Sequence, residues 1–308
     1  MNEAQTFIRI EDGLDLPIVG FGTCLISQND SAPAVTAAIV AGYRHIDTAV
    51  AYENEAGVGA GIRAGISAIG IARRDIFVTA KLWPGNADWD DAPKGYEAVL
   101  EAFETTRSAL GLDYIDLYLV HAPTGGAERL NQWRAMLHLK DEGKVRAIGV
   151  SNFAQSHIEE IKTAGLPLPA VNQIELHPWS QKPALVPYLN QNGIKPIAYS
   201  SLVPLSTWRA KEGEPSSKTE AMKAASSNGS SPFKTMALKY GVSEAQLLLR
   251  WGVQKGFAIL PKSLSPNRMR ENLDLFGFVI DQNDMALIEG MDRGDGVAWP
   301  IGDPTKLG

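Results

Sequence analysis

The chain has 308 residues, 44% hydrophobic and 21% charged, a mixture that is ordinary for a globular protein able to bury a large core. The formal net charge of −6 argues against a general nucleic-acid surface, and the single cysteine, Cys24, excludes an intrachain disulfide. Residues 1–13 lack the apolar core of a secretory signal and no apolar run is long enough to span a membrane, so we expect a cytoplasmic protein.

The first predicted element is a β-hairpin, in which residues 6–10 and 16–19 flank the turn residues Asp12 and Gly13. Short β-branched runs then alternate with longer helical patterns. The predicted strands cover residues 19–21, 45–46, 76–79, 115–120, 146–150, 170–173, 195–199 and 258–260. The predicted helices cover residues 32–41, 55–64, 93–110, 129–142, 156–164, 183–191, 243–254 and 267–274.

This alternation implies parallel strands joined by helical crossovers. Its eight repeats favour closure into a (β/α)8 barrel, with an open parallel sheet as the alternative, and we expect one barrel domain over residues 1–308. Residues 205–232 interrupt the rhythm after the seventh strand and are rich in Ser, Lys, Glu and Gly, which fits either a functional loop or a solvated insertion. Residues 294–308 are irregular and carry one large aromatic, Trp299.

Polar residues stand at the ends of the predicted strands, from the second strand to the eighth. The carboxyl ends of barrel strands meet at one mouth, where barrel enzymes keep their catalytic residues. A helix cap or a solvated lysine would explain any one of these residues, but their recurrence at corresponding positions favours an active site. They are Asp47 (with Tyr52 five residues later), Lys81, His121, Ser151, Asn152, Gln173, Tyr199, Ser200, Lys262 and Ser263.

Asp, Tyr, Lys and His together suit proton transfer to a carbonyl oxygen. A tyrosine has an unperturbed pKa of about 10, so Tyr52 would carry its proton at neutral pH, and a neighbouring Lys81 would lower that pKa toward the working range. Asp47 would hold the lysine, and a neutral His121 would orient the carbonyl. No nucleophile is needed and no metal-ligand pattern is visible, so the other reactant, a hydride, must come from a cofactor.

Two glycine patterns could suggest a dinucleotide fingerprint, which must follow a strand and open a helix. The pattern at residues 59–64 lies inside a predicted helix, and the pattern at residues 20–22 precedes an irregular stretch. We therefore expect the cofactor to be held in another way.

Three segments carry a family resemblance over essentially the whole chain. They are GYRHIDTA at residues 42–49, followed by Tyr52, Glu55 and Gly59; GKVRAIGVSNF at residues 143–153; and LPKS at residues 260–263, followed by Arg268, Glu271 and Asn272. By these motifs the sequence resembles the aldo-keto reductase family. The resemblance implies a (β/α)8 barrel, a hairpin closing the barrel bottom, and NADPH-dependent reduction of an aldehyde or ketone.

The resemblance also implies roles for individual residues. Tyr52 would be the general acid, tuned by Lys81 and Asp47, while His121 would orient the carbonyl. Tyr199 would stack on the nicotinamide, and residues 205–232 would fold over the pyrophosphate. The other implied cofactor ligands are Ser151, Asn152 and Gln173 for the carboxamide; Lys262, Ser263, Ser265 and Arg268 for the 2′-phosphate; Glu271 and Asn272 for the adenine; and, with no assigned part, Thr23, Ser200 and Leu202.

The sequence departs from the family at the substrate pocket. Many members carry Trp where this chain has Cys24 and Ala122, so two bulky pocket walls are predicted to be small beside Trp83 and Trp299. We expect a monomer that acts on a small carbonyl compound, with no nucleic-acid or membrane partner. The alternatives are a regulatory subunit that binds NADPH without turnover, and a barrel lyase or isomerase, whose phosphate or metal ligands are not found.

Overall fold

The computed structural model describes residues 6–206, 231–294, 296–299 and 302–307. Its strands are Phe7–Glu11 (β1), Leu14–Pro17 (β2), Phe21–Gly22 (β3), His45–Asp47 (β4), Phe77–Leu82 (β5), Ile115–Val120 (β6), Val145–Ser151 (β7), Val171–Glu175 (β8), Lys195–Tyr199 (β9) and Ala258–Ile259 (β10). Its helices are Gln28–Ala41 (α1), Glu55–Ile69 (α2), Tyr96–Leu110 (α3), Arg129–Asp141 (α4), Gln155–Thr163 (α5), Leu185–Gln191 (α6), Lys234–Tyr240 (α7), Glu244–Gln254 (α8), Pro266–Leu273 (α9) and Gln282–Glu289 (α10).

Strands β3 to β10 form one parallel sheet in chain order, each paired with the next. The two edges of this sheet meet, because Val19 forms a parallel bridge with Ile259. Two backbone bonds complete the join, from Gly20 N to Ile259 O and from Ile259 N to Ile18 O, both 2.8 Å. The sheet is therefore a closed barrel, as predicted, and not an open sheet.

The hairpin of β1 and β2 lies at the end of the barrel where the strands begin. Lys140, at the end of α4, binds Glu11 of β1 at 2.6 Å, and the end of α4 leads directly into the start of β7. Gly13 makes the tight turn possible with a φ of +74°, which few residues other than glycine adopt. The two hairpin strands have the predicted lengths but lie closer to the turn than predicted, since the turn closes directly between Glu11 and Leu14.

The glycine pattern at residues 59–64 lies inside a helix, as predicted, and its glycines serve helix packing. A Cβ on Gly59 would lie 1.9 Å from the carbonyl oxygen of Leu110, and one on Gly61 would lie 2.6 Å from that of Ala32. Because these positions carry no side chain, α2 can pack closely on α1 and on the end of α3. The pattern is thus not a phosphate-binding loop.

Several element bounds differ from the prediction. Helices α3 and α6 begin three and two residues later than predicted, at Tyr96 and Leu185. Helices α7 and α10 were not predicted; α10 follows Asp281, whose side chain accepts a bond from the backbone N–H of Asp284 as an N-cap. Of the predicted loop at 205–232, residues 207–230 lie outside the described residues. In the described part of the chain, no helix is both long and apolar enough to cross a membrane.

Candidate active site

The four residues proposed for proton transfer meet at the mouth opposite the hairpin. Asp47 is the last residue of β4, Tyr52 lies in the short 3-10 turn Val50–Tyr52, Lys81 lies within β5 and His121 directly follows β6. The Lys81 ammonium has no exposed surface and donates to Asp47 Oδ1 at 2.5 Å and to Tyr52 Oη at 3.2 Å. Its third donor meets the carbonyl oxygen of Thr48 at 3.0 Å, so every N–H of this buried cation has an acceptor.

Asp47 is held from three sides. Its Oδ1 accepts from Lys81, and its Oδ2 accepts from Gln173 Nε2 at 2.7 Å across the barrel. Its carbonyl oxygen accepts from the hydroxyl of Thr23 at 2.9 Å and from the backbone N–H of Thr23 at 3.0 Å. This buried carboxylate is therefore fixed in place, and it fixes Lys81 against Tyr52 in turn.

Tyr52 differs from the expectation in one respect. Although part of the residue is exposed, burial raises the pKa of its hydroxyl well above the ordinary value, and the neighbouring Cys24 and Asp47 act in the same direction. The expected lowering of this pKa toward the working range is therefore wrong, because the loss of solvent is the largest effect on the hydroxyl. Tyr52 accordingly keeps its proton at neutral pH, as a proton donor must.

His121 is a neutral imidazole in this site. Burial lowers the pKa of His121 to about 3, and the nearby charge of Lys81 lowers it further in the same direction. The ring meets Tyr52 edge to face, with ring centroids 5.7 Å apart, and its buried Nδ1 has no hydrogen-bond partner among the described residues. An uncharged ring beside the tyrosine can donate one hydrogen bond to a carbonyl oxygen and fix its position.

A second group of polar side chains follows β7, β8 and β9 next to the first. Asn152 donates to the carbonyl oxygen of His121 at 3.0 Å and to Ser151 Oγ at 3.1 Å, and it accepts from Tyr199 Oη at 2.8 Å. Ser151 donates in turn to the carbonyl oxygen of Gln173 at 2.8 Å. The φ angles of Asn152 and Ser200 are +62° and +59°, in the left-handed region that few non-glycine residues adopt. Leu202 lies partly exposed beyond Ser200.

A third group surrounds the start of α9. Arg268 Nε donates to Ser263 Oγ at 3.2 Å, and the same oxygen accepts from the backbone N–H of Ser265. Lys262 and Arg268 are exposed, and neither forms an ion pair with a described residue. Ser265 is the N-cap residue of α9, yet its side chain makes no capping bond. Cations, hydroxyls and an uncapped helix start form a donor set that fits a phosphate.

The two remaining predicted residues of this group lie one turn further along α9. Glu271 is partly exposed, and Asn272 is buried. Both are thus on the same helix as Arg268, close to the proposed phosphate site.

Comparison with known proteins decides the family. The model of the aldo/keto reductase family matches residues 19–293. The chain belongs to this family. It is 40% identical over 290 residues to the oxidoreductase YtbE of Bacillus subtilis and 37% identical over 291 residues to the glyoxal reductase of the same organism, with 94% of each chain covered in both cases. The crystal structure of the Bombyx mori aldo-keto reductase in complex with NADP matches with a TM-score of 0.82 at 32% identity, covering 94% of this chain and 93% of that one.

Membership of the aldo-keto reductases supports carbonyl reduction as the activity. Two of the residues predicted to line the substrate pocket lie beside His121. Trp83 and Trp299 both meet the ring of His121 edge to face, at 5.8 Å and 6.5 Å between centroids. Ala122, which directly follows His121, has no exposed surface, whereas Cys24 is exposed.

Two residues that the sequence reasoning missed hold the C-terminal segment of this aldo-keto reductase over the mouth. Glu175, the last residue of β8, is buried and accepts from the backbone N–H groups of Val297 and Ala298 at 2.7 Å and 3.0 Å. His177 binds the same carboxylate at 2.7 Å. Trp299 therefore lies beside His121 because the preceding backbone is anchored. The sequence offered one signal, the acidic residue Glu175 two positions after Gln173.

Proposed function

We propose that this aldo-keto reductase reduces an aldehyde or ketone to the alcohol with NADPH, and that Tyr52 is the general acid. The observation that carries the proposal is the buried chain of Asp47, Lys81 and Tyr52, in which the ammonium lies 2.5 Å from the carboxylate and 3.2 Å from the phenol oxygen. A fully buried ammonium costs free energy unless it is paired, and here it binds a tyrosine at the end of the barrel where barrel enzymes keep their catalytic residues.

The chain's own residues perform the proton half of the reaction. A neutral His121 donates a hydrogen bond that fixes the carbonyl oxygen next to Tyr52 Oη. As negative charge develops on that oxygen, Tyr52 gives up its proton, and Lys81 stabilises the phenolate that forms. When bound, NADPH supplies the hydride that adds to the carbonyl carbon. Hydride and proton together convert the carbonyl to the alcohol, and solvent restores the proton of Tyr52.

The proposal assigns cofactor contacts to the second and third groups. Tyr199 would stack on the nicotinamide, and Ser200, Leu202 and Thr23 would line the same end of the site. Lys262 and Arg268 would neutralise the 2′-phosphate. The carboxamide would bind Ser151, Asn152 and Gln173; the phosphate would also bind Ser263 and Ser265; the adenine would bind Glu271 and Asn272. One barrel over residues 1–308 would carry all of these parts.

The test is the Tyr52→Phe variant, which removes the proposed donor and keeps the ring. General acid catalysis is typically worth about 10²–10⁴-fold, so turnover should fall by that factor while the Kd for NADPH changes by less than about twofold. The matched control is Tyr188→Phe, which removes a hydroxyl bound to Glu159 on the outer helices and should leave both quantities unchanged. A loss below about tenfold for Tyr52→Phe would refute the role of this residue. Binding of NADPH by the wild type without turnover of any carbonyl would favour a regulatory subunit.

A further inference from the structure

An exposed tryptophan stands on the loop between β5 and α3. Trp89 ends the short 3-10 turn Ala87–Trp89, and 50% of its surface is exposed. An indole left in water forgoes the free energy that burial of so large an apolar surface would release. Exposure alone does not mark a binding surface, since Phe7 is 48% exposed on the hairpin; the position of Trp89 near the proposed active site is what points to a ligand.

Trp89 belongs to a row of rings that starts at the site. Its ring stacks on that of Trp83, with centroids 5.8 Å apart and planes inclined by 11°. Trp83 in turn lies edge-on to His121, again with centroids 5.8 Å apart. The row therefore extends outward from the histidine that would hold the substrate carbonyl, and Trp89 is at most two such spacings away from it.

The loop that carries this pair is firmly built. Trp83 Nε1 donates to Asp91 Oδ2 at 2.6 Å, and the backbones of Asn86 and Asp91 exchange two hydrogen bonds, of 2.7 Å and 3.1 Å. The buried side chain of Asn86 accepts from the N–H of Asp88 at 3.0 Å. Gly85 has a φ of +88° and would bring a Cβ within 2.4 Å of the carbonyl oxygen of Ala92. Both indoles are thus presented in a fixed arrangement.

We propose that Trp83 and Trp89 form an aromatic subsite for the part of the substrate that lies beyond the carbonyl group. The occupant is a neutral, planar, apolar group, such as the outer ring of a biaryl aldehyde or ketone. Offset stacking on an indole favours a flat ring, and the exposed carboxylates of Asp88 and Asp90 on either side disfavour an anionic group. This proposal rests on the proposed function, since it names the substrate class of that site.

The experiment compares 4-phenylbenzaldehyde, whose second ring would reach Trp89, with propanal, which has none. Trp89→Ala should lower kcat/KM for the aryl aldehyde by about threefold to tenfold, mainly through KM, and should change the value for propanal by less than about twofold. Trp89→Phe keeps an aromatic face and should restore most of the loss. Phe7→Ala is the matched control, because Phe7 is 48% exposed on the hairpin at the opposite end of the barrel.

A binding measurement separates the failure of this proposal from that of the proposed function. Calorimetric titration of the NADPH-loaded protein with 4-phenylbenzyl alcohol should show that Trp89→Ala raises the Kd for the alcohol by the same factor of about three to ten. Turnover of no carbonyl by the wild type would defeat the proposed function, while the titration would still test the subsite. An equal loss for both aldehydes, or an unchanged Kd for the alcohol, would overturn the aromatic subsite.

Discussion

Removing either charge of the buried pair Lys81 and Asp47 alone should lower the free energy of unfolding strongly. Removing both together should lower it by less than the sum of the two single losses. In Lys81→Met, an uncharged side chain of similar length replaces the ammonium, and the Asp47 side chain, only 4% exposed, is left with Gln173 as its bonding partner. Loss of one member of a buried ion pair costs about 3–5 kcal/mol, so the free energy of unfolding should fall by that amount.

Asp47→Asn should cost a similar amount, since it leaves the buried ammonium without its countercharge. In the double variant neither charge is buried alone, so its free energy of unfolding should lie at least about 2 kcal/mol above the value expected from adding the two single losses. Urea unfolding of the wild type and the three variants without cofactor gives these values. Additivity within about 0.5 kcal/mol would show that the two charges do not depend on each other, and the account of the site would fail.

Three further predictions follow from other parts of the structure. Arg268→Ala should weaken the Kd for NADPH by about 10- to 150-fold in a fluorescence titration and leave the Kd for NADH nearly unchanged; equal weakening of both speaks against a phosphate site. Glu175→Gln should increase amide hydrogen exchange at Val297 and Ala298, because a carboxylate that accepts both N–H groups is lost; unchanged exchange contradicts the anchor. Burial lowers the pKa of His45 to about 4 and that of His121 to about 3, so between these values and about pH 6.5 the unfolded chain binds more protons than the folded one. Each histidine should therefore lower stability as the pH decreases below about 6.5, by up to about 1.4 kcal/mol per pH unit. Glu55, whose pKa burial raises to about 7, opposes one of them over the same range, so a net fall remains expected, and a flat or rising urea-unfolding profile from about pH 7 to about pH 5 argues against this.

The barrel and the meeting of Asp47, Tyr52, Lys81 and His121 at one mouth could be predicted from the sequence. The strand and helix alternation determines the topology, and the topology brings the carboxyl ends of the strands together. The exact ends of the strands were harder to predict. Lys81 and Gln173 lie inside their strands, because pairing with the neighbouring strands extends each strand by two or three residues beyond its predicted end.

Features that depend on packing could not be predicted. The raised pKa of Tyr52 reflects how much protein surrounds the hydroxyl, which no spacing of residues reveals. The full burial of Ala122 likewise depends on neighbours that the sequence does not identify. The position of Trp299 depends on a bond between Glu175 and backbone more than a hundred residues away, and the irregular tail carries no periodic pattern that would indicate it.

The central claim is that a hydride passes from NADPH to a carbonyl carbon while Tyr52 protonates the oxygen. The most direct measurement uses NADPH carrying deuterium at the transferred position of the nicotinamide, with the wild type and a simple aldehyde, and analyses the alcohol by mass spectrometry and NMR. The account predicts one deuterium on the carbinol carbon for each NADPH oxidised, and almost no alcohol from Tyr52→Phe in the same time. Oxidation of NADPH without deuterium on that carbon, or labelled alcohol formed at the wild-type rate by Tyr52→Phe, would contradict it.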